Sequence, residues 1–139
     1  MLRWGAREWL QLTKVELEFA AGLAERLQRD ADEALVLLLG DLVPSNIVQT
    51  PECLVVIDPV GLRGPRAWDL ATLHVATIGR GGPAVLPGLL AGYGAVPRLI
   101  DEFVCWRLLQ FVDKNRNDRR SEFLSHLEPW LEDVVSAIR

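Results

Sequence analysis

Cysteine and histidine are scarce, two of each in 139 residues, and that scarcity removes several chemistries at once. Cys53 and Cys105 are too few and too far apart for a metal knuckle or a disulfide framework. Each lies in an apolar segment, so both are expected as buried, reduced thiols. His74 and His126 have no nucleophile or ligand spacing beside them, and each reads as an ordinary core or surface histidine. Positive charge is not in excess either. Fifteen Lys and Arg against nineteen Asp and Glu give a net charge of -4, which offers nucleic acid and anionic membrane no electrostatic footprint. No run of about 18 apolar residues occurs, and the amino terminus lacks the apolar core of a signal peptide, so a cytoplasmic protein without a membrane partner is expected.

What is present is a leucine-rich chain, half apolar and with five tryptophans, a composition that folds rather than remaining disordered. At this length residues 1–139 are read as a single domain, large enough to bury a core without metal or disulfide support. The mean hydropathy of +0.15 is high for a small soluble domain and hints at apolar surface that a missing lobe or a partner chain covers.

Along the chain, Thr13-Lys14-Val15-Glu16 has the spacing of a capping box, and Val15, Phe19, Leu23 and Leu27 draw an apolar stripe along a helix running to about Asp30. The run Ala34 to Leu39 predicts a short strand ended by Gly40-Asp41. Asn46 to Gln49 and Cys53 to Ile57 flank the turn formers Thr50-Pro51-Glu52 and predict a small hairpin. Arg66 to Ile78 predicts a helix with Trp68, Ala71, Val75 and Ile78 on one side and Gly79 as its stop. Gly79 to Pro97, rich in glycine and proline, predicts only a short interrupted helix. A helix apolar on more than one side is expected from Pro97 through Phe111, and closing helices with a break at Pro129. Lys114, Arg116, Arg119 and Arg120, interleaved with Asp113 and Asp118, read as a solvated loop between helices. The tryptophans at 4, 9, 68, 106 and 130 are expected in the core or at an interface.

The chemistry-bearing segments are Leu39-Gly40-Asp41-Leu42-Val43-Pro44-Ser45-Asn46 and the apolar run Val55-Val56-Ile57 ending in Asp58. Phosphoryl transfer needs a carboxylate that positions the acceptor hydroxyl, plus hard oxygen ligands that hold magnesium against nucleotide phosphates. Asp41 and Asn46 stand five positions apart, so one loop can aim a carboxylate at the acceptor and an amide oxygen at the metal, with Asp58 as the charged ligand from a second loop. Polar residues at the ends of apolar strands suit this work, because the strand fixes them while the loop leaves their oxygens accessible. Asp101 and Glu102 are read as acidic residues favoured by a helix dipole. Gly81-Gly82-Pro83 lacks the preceding strand and following Lys-Ser or Lys-Thr pair of a phosphate loop.

Gly40-Asp41 with Asn46, then Ile57-Asp58-Pro59, then Trp68-Asp69-Leu70-Ala71 resembles the aminoglycoside phosphotransferase family in order and spacing. The stretch Ile57-Asp58-Pro59-Val60-Gly61-Leu62-Arg63-Gly64-Pro65 is similar to the branch that contains streptomycin kinases and hydroxyurea-type resistance kinases. The resemblance covers about Leu35 to Leu73. It implies an α+β, mainly α fold: the helical carboxy-terminal lobe of a protein-kinase-like fold, with a small β-hairpin carrying the catalytic loops. It further implies an ATP-dependent small-molecule phosphotransferase that moves the γ-phosphate to a substrate hydroxyl, an antibiotic being the substrate class. Asp41 corresponds to the catalytic aspartate, Asn46 and Asp58 to Mg2+ ligands, and Asp69 to a carboxylate that braces the catalytic loop.

Two departures accompany the resemblance. Leu39 stands where the family has histidine before Gly-Asp. No Gly-x-Gly-x-x-Gly pattern and no strand lysine precede Leu35, so the nucleotide-binding lobe is expected to be absent and ATP and Mg2+ binding by this chain alone weak. The second expectation is therefore a non-catalytic, kinase-like remnant whose exposed apolar face is covered in a homodimer.

Overall fold

The computed structural model describes residues 9–30, 36–114 and 122–127. Its elements are α1 (Lys14–Asp30), β1 (Val36–Leu37), a 3-10 turn (Pro44–Asn46), β2 (Ile47–Gln49), β3 (Leu54–Val56), β4 (Arg63–Gly64), α2 (Ala67–Gly79), α3 (Leu86–Tyr93) and α4 (Ile100–Lys114); residues 122–127 are also helical. The architecture is α+β, mainly α, with a small antiparallel β part. The chain divides into two compact units, one of Met1–Leu2 with Glu33–Ile100 and one of Arg3–Asp32 with Asp101–Arg139.

In the first unit the β structure is two separate two-stranded ladders, β1 with β4 and β2 with β3. The second is the hairpin expected from the Thr50-Pro51-Glu52 turn, in the register Ile47↔Val56, Val48↔Val55 and Gln49↔Leu54. The turn is closed by Thr50 N–H donating to the Cys53 carbonyl at 2.8 Å and Cys53 N–H donating to Thr50 Oγ1 at 3.1 Å. Of the apolar run that suggested β1, Ala34 and Leu35 lie outside the described residues, and Val36 and Leu37 pair with Gly64 and Arg63.

Helix α2 buries Trp68, Ala71, Val75 and Ile78, the face set by the 3.6-residue period. It ends at Gly79 as expected, and the left-handed residue of its cap lies two positions further on. Gly81 takes φ +79°, its N–H donates to the Ile78 carbonyl and the Gly82 N–H to the Thr77 carbonyl. That bond pattern is a Schellman cap, which needs its left-handed residue after the last helical turn. A side chain at Gly82 would meet Thr77 Cγ2 at 2.8 Å, so Gly81-Gly82 is a helix terminator. Helix α3 follows and ends at Gly94 with φ +82°.

In the second unit the Thr13–Glu16 capping box forms, with Thr13 N–H donating to Glu16 Oε1 at 3.0 Å and Glu16 N–H to Thr13 Oγ1 at 3.3 Å; such a cap contributes about 1 kcal/mol. The buried face of α1 is Ala20, Leu23, Ala24 and Leu27, while Val15 is 75% exposed. The apolar stripe is thus displaced toward the second half of the helix, where small Ala residues permit close packing. Helix α4 begins at Ile100 rather than at Pro97, since Leu99 adopts φ +62°, a conformation no helix propagates through. Phe103, Val104, Trp106, Leu108, Leu109 and Val112 are buried, so the helix is apolar on more than one side as its pattern required.

Asp113 is not the solvated loop residue expected of it. It is buried and accepts the Leu10 and Gln11 N–H groups, both at 2.8 Å on Oδ1. Beside it Trp9 meets Trp106 edge to face at 5.3 Å between centroids, and Phe111 meets Phe123 at 5.4 Å. Arg26 pairs with Glu102 at 3.1 Å. Trp4, Arg116, Asp118, Arg119, Arg120, Pro129 and Trp130, on which other expectations fell, lie outside the described residues. No helix among the described residues is long and apolar enough to cross a membrane.

The two cysteines diverge. Cys105 is buried and Cys53 exposed, the latter because a two-stranded hairpin end has no layer above it. Burial, with Asp101 and Glu102 nearby, pushes the Cys105 thiol upward. A neutral buried thiol contributes stability that is complete below the unfolded thiol pKa of about 8.5 and is lost as pH rises beyond it. We expect a thiol-specific disulfide reagent at neutral pH to modify Cys53 rapidly and Cys105 only after denaturation. Cys105→Ala should flatten the fall of stability above about pH 8.5 seen in urea melts; equal reactivity of both native thiols contradicts the assignment.

Candidate active site

The loop that leads to Asp41 is held at nearly every backbone atom. Leu38 N–H donates to the Leu62 carbonyl at 2.7 Å and Val60 N–H donates to the Leu39 carbonyl at 2.8 Å. Leu39 N–H and Gly40 N–H then donate to the two oxygens of Asp69, at 2.9 Å and 3.0 Å. Asp69 sits in the first turn of α2, so its side chain is fixed by a regular element before it grips the loop. Trp68, its neighbour, points the indole Nε1–H at the Gly40 carbonyl at 3.4 Å.

Gly40 is there for a steric reason. Its φ is +83°, and a Cβ would lie 3.1 Å from Val60 Cβ and 3.3 Å from the Leu62 side chain. An L-residue would be strained by the dihedral and crowded by the neighbours together.

Beyond this pivot Asp41 is exposed, and Asn46 closes the loop behind it. The Asn46 side-chain Nδ2 donates to the Asp41 carbonyl at 2.9 Å and to Asp41 Oδ2 at 3.3 Å. Between them Val43 N–H donates to the Asp41 carbonyl at 3.0 Å and Asn46 N–H to the Val43 carbonyl at 2.9 Å. Pro44 opens the 3-10 turn, where its fixed φ fits and its missing N–H costs nothing.

The hairpin ties in the third residue. Ile57 N–H donates to the Asn46 carbonyl at 2.8 Å, extending the β2–β3 ladder by one pair, and Asp58 follows at once with φ +53°. Asp41 and Asn46 are therefore in direct contact, and Asp58 stands one residue past the pairing partner of Asn46. Asp58 is exposed, and among the described residues no donor reaches its carboxylate oxygens. Asp69 is engaged with the backbone behind the loop.

The donor set suits a hard cation that keeps much of its water. Asn46 turns its amide nitrogen toward Asp41, so that among the described residues its Oδ1 has no donor, and Asp58 offers a full carboxylate. Magnesium binds in this manner, through one or two carboxylates plus waters and substrate phosphates. Among the described residues no group of three or more His, Cys, Asp or Glu forms a closed metal cage. Asn46 faces Asp41 at Oδ2, and among the described residues Asp41 Oδ1 has no hydrogen-bond donor.

Sequence reasoning missed the contribution of Trp68 to the loop, having placed it only as a core ring. The available signal was an N–H-bearing aromatic directly beside Asp69 at a helix start. His74, read as either a core or a surface histidine, is buried and its Nδ1 accepts the Leu86 N–H at 3.1 Å, which pins the start of α3 and leaves His74 outside the site.

Comparison with known proteins gives one match: the model of the Phosphotransferase enzyme family aligns to residues 1–103, a span that includes Asp41, Asn46, Asp58 and Asp69. No curated protein and no solved structure matches the chain.

Asp69→Ala should cost about 2–3 kcal/mol in urea unfolding, since two charge-assisted bonds go and two amides lose their acceptor. Gly40→Ala should cost about 1–3 kcal/mol through backbone strain. An Asp69→Ala protein as stable as the parent would show that the loop is held by something else.

Proposed function

The chain belongs to the Phosphotransferase enzyme family, and on that premise we propose that it serves ATP-dependent transfer of a γ-phosphate to the hydroxyl of a small, antibiotic-like molecule. The observation that carries the reading is the direct contact of Asp41 with Asn46 at the end of a hairpin whose other strand delivers Asp58. Substrates of the streptomycin or hydroxyurea type are favoured by the stretch Ile57 to Pro65. A cytoplasmic setting, where ATP is available, fits the same reading.

In this proposal Asp41 Oδ1 accepts the hydrogen of the substrate hydroxyl and aims its oxygen at the phosphorus. Asn46 holds the other Asp41 oxygen, so the carboxylate does not need to be oriented at the moment of reaction. Asn46 Oδ1 and Asp58 would hold Mg2+, which when bound offsets the negative charge of the nucleotide phosphates. Asp69 keeps the loop from moving and does not touch the substrate. The sequence holds no Gly-x-Gly-x-x-Gly pattern and its lysines are Lys14 and Lys114; Lys14 opens α1 in an exposed first turn. The phosphate-cradling groups must therefore come from a lobe other than this carboxy-terminal one.

A second reading is favoured by a different observation. Leu37, Leu54 and Val60 are 75%, 67% and 58% exposed, an apolar surface around the β-ladders that a homodimer of a non-catalytic, kinase-like module would cover.

The two separate experimentally. With Mg-ATP, an aminoglycoside panel and the nucleotide lobe present, Asp41→Ala should lower kcat by about 10²–10⁴-fold while the melting temperature stays near that of the parent. Asn46→Ala should raise the Mg2+ concentration needed for half-maximal rate. Undiminished turnover in Asp41→Ala removes the catalytic assignment. A concentration-independent dimer by light scattering, with no Mg-ATP heat in calorimetry, favours the second reading.

A further inference from the structure

We propose that Trp68 is a positioning residue for Asp41, acting through the Gly40 carbonyl. The inference deepens the proposed function and takes from it only that Asp41 is the working carboxylate.

Residues 39 and 40 present four backbone polar groups. Two, the N–H groups, are taken by Asp69, and the Leu39 carbonyl by Val60 N–H. Those three bonds fix the peptide planes before Gly40. They leave the plane between Gly40 and Asp41 undetermined, because it turns about ψ of a glycine, the residue with the widest backbone freedom. A rotation there displaces Asp41 against the bonds that Asn46 and Val43 make to it. Among the described residues, the group on the Gly40 carbonyl is the Trp68 indole N–H at 3.4 Å.

The indole is a fixed point. Trp68 is 6% exposed, and its own N–H donates to the Pro65 carbonyl at 3.1 Å, so ring and backbone are both held at the start of α2. Consecutive residues of one helical turn thus divide the work: Asp69 accepts from the amides and Trp68 donates to the carbonyl. Leu39, at the position before Gly40, has no polar side-chain atom to share in it. At 3.4 Å the bond lies beyond the usual 2.7–3.2 Å range for N–H···O. It therefore selects an orientation of the peptide plane more than it adds to stability, and that distinction is measurable.

The test compares the full chain with Trp68→Phe, which keeps an aromatic ring and removes the N–H. Backbone NMR reads the Gly40 carbonyl 13C and Asp41 15N resonances, and steady-state kinetics with Mg-ATP, the aminoglycoside panel and the nucleotide lobe present reads the reaction. Trp68→Phe should shift both resonances and add μs–ms exchange broadening at Asp41, with Leu39 and Gly40 amides still protected by Asp69. kcat should fall about tenfold with KM nearly unchanged, the pattern of lost alignment in the transition state. Unmoved resonances in a folded Trp68→Phe overturn the proposal. If that variant does not fold, the parent decides: a slowly exchanging Trp68 indole N–H supports the contact, and exchange at the rate of a free indole refutes it. Shifted resonances in a protein that transfers no phosphate leave the positioning role standing and defeat the functional reading instead.

Discussion

The carboxylate of Asp69 spans the Leu39 and Gly40 amides, and through that bridge a regular helix dictates the path of an irregular loop. A loop alone cannot keep a carboxylate oriented, since each residue left free costs roughly 1–2 kcal/mol of backbone entropy to order. Here the ordering is supplied by an element that is already rigid: α2 is packed through Trp68, Ala71, Val75 and Ile78 and offers two oxygens in fixed geometry from its first turn. The bonds are charge-assisted, the class worth about 1.5–3 kcal/mol each. Gly40 completes the arrangement, because only a residue without Cβ passes between Val60 and Leu62 at that φ.

From this anchor the rest of the site follows by short steps. Asp41 emerges just past the gripped amides, the 3-10 turn returns the chain within five residues, and Asn46 bonds back to Asp41. The hairpin then carries the chain out and back, and one extra ladder bond from Ile57 to Asn46 delivers Asp58. Three side chains of unlike role are set by backbone register and not by a packed pocket. That explains why Asp41 and Asp58 are exposed while Trp68 and Asp69 are not: solvent reaches the oxygens at the loop ends, and the helix holds the backbone behind them.

Much of this was legible in the sequence where a local rule decides. The capping box at Thr13–Glu16, the hairpin around Pro51 and the apolar face of α2 all follow from spacing, because the forces involved act within one turn or one strand pair. What was not legible depends on tertiary surroundings. Cys53 looked buried from its apolar neighbours, yet a two-stranded ladder has no second layer. Val15 fits the α1 stripe but lies in the first turn and is exposed. Asp113 looked like a loop charge until the fold returned Leu10 and Gln11 to it across more than a hundred residues. Gly79 was legible as the end of α2, but that the left-handed cap residue is Gly81 was not. In the site, residue types and order pointed to Asp41, Asn46 and Asp58, while the indole contact at Gly40 depends on a side-chain direction that no spacing rule encodes.

The central claim is that the amides before Asp41 are locked by Asp69, and native-state hydrogen exchange at Leu39 and Gly40 tests it most directly. The account predicts that both amides exchange about as slowly as those of Val75 and Ala76 in α2, opening with that helix as one unit. Exchange of Leu39 and Gly40 at the rate of an unprotected loop, with α2 still protected, would contradict it.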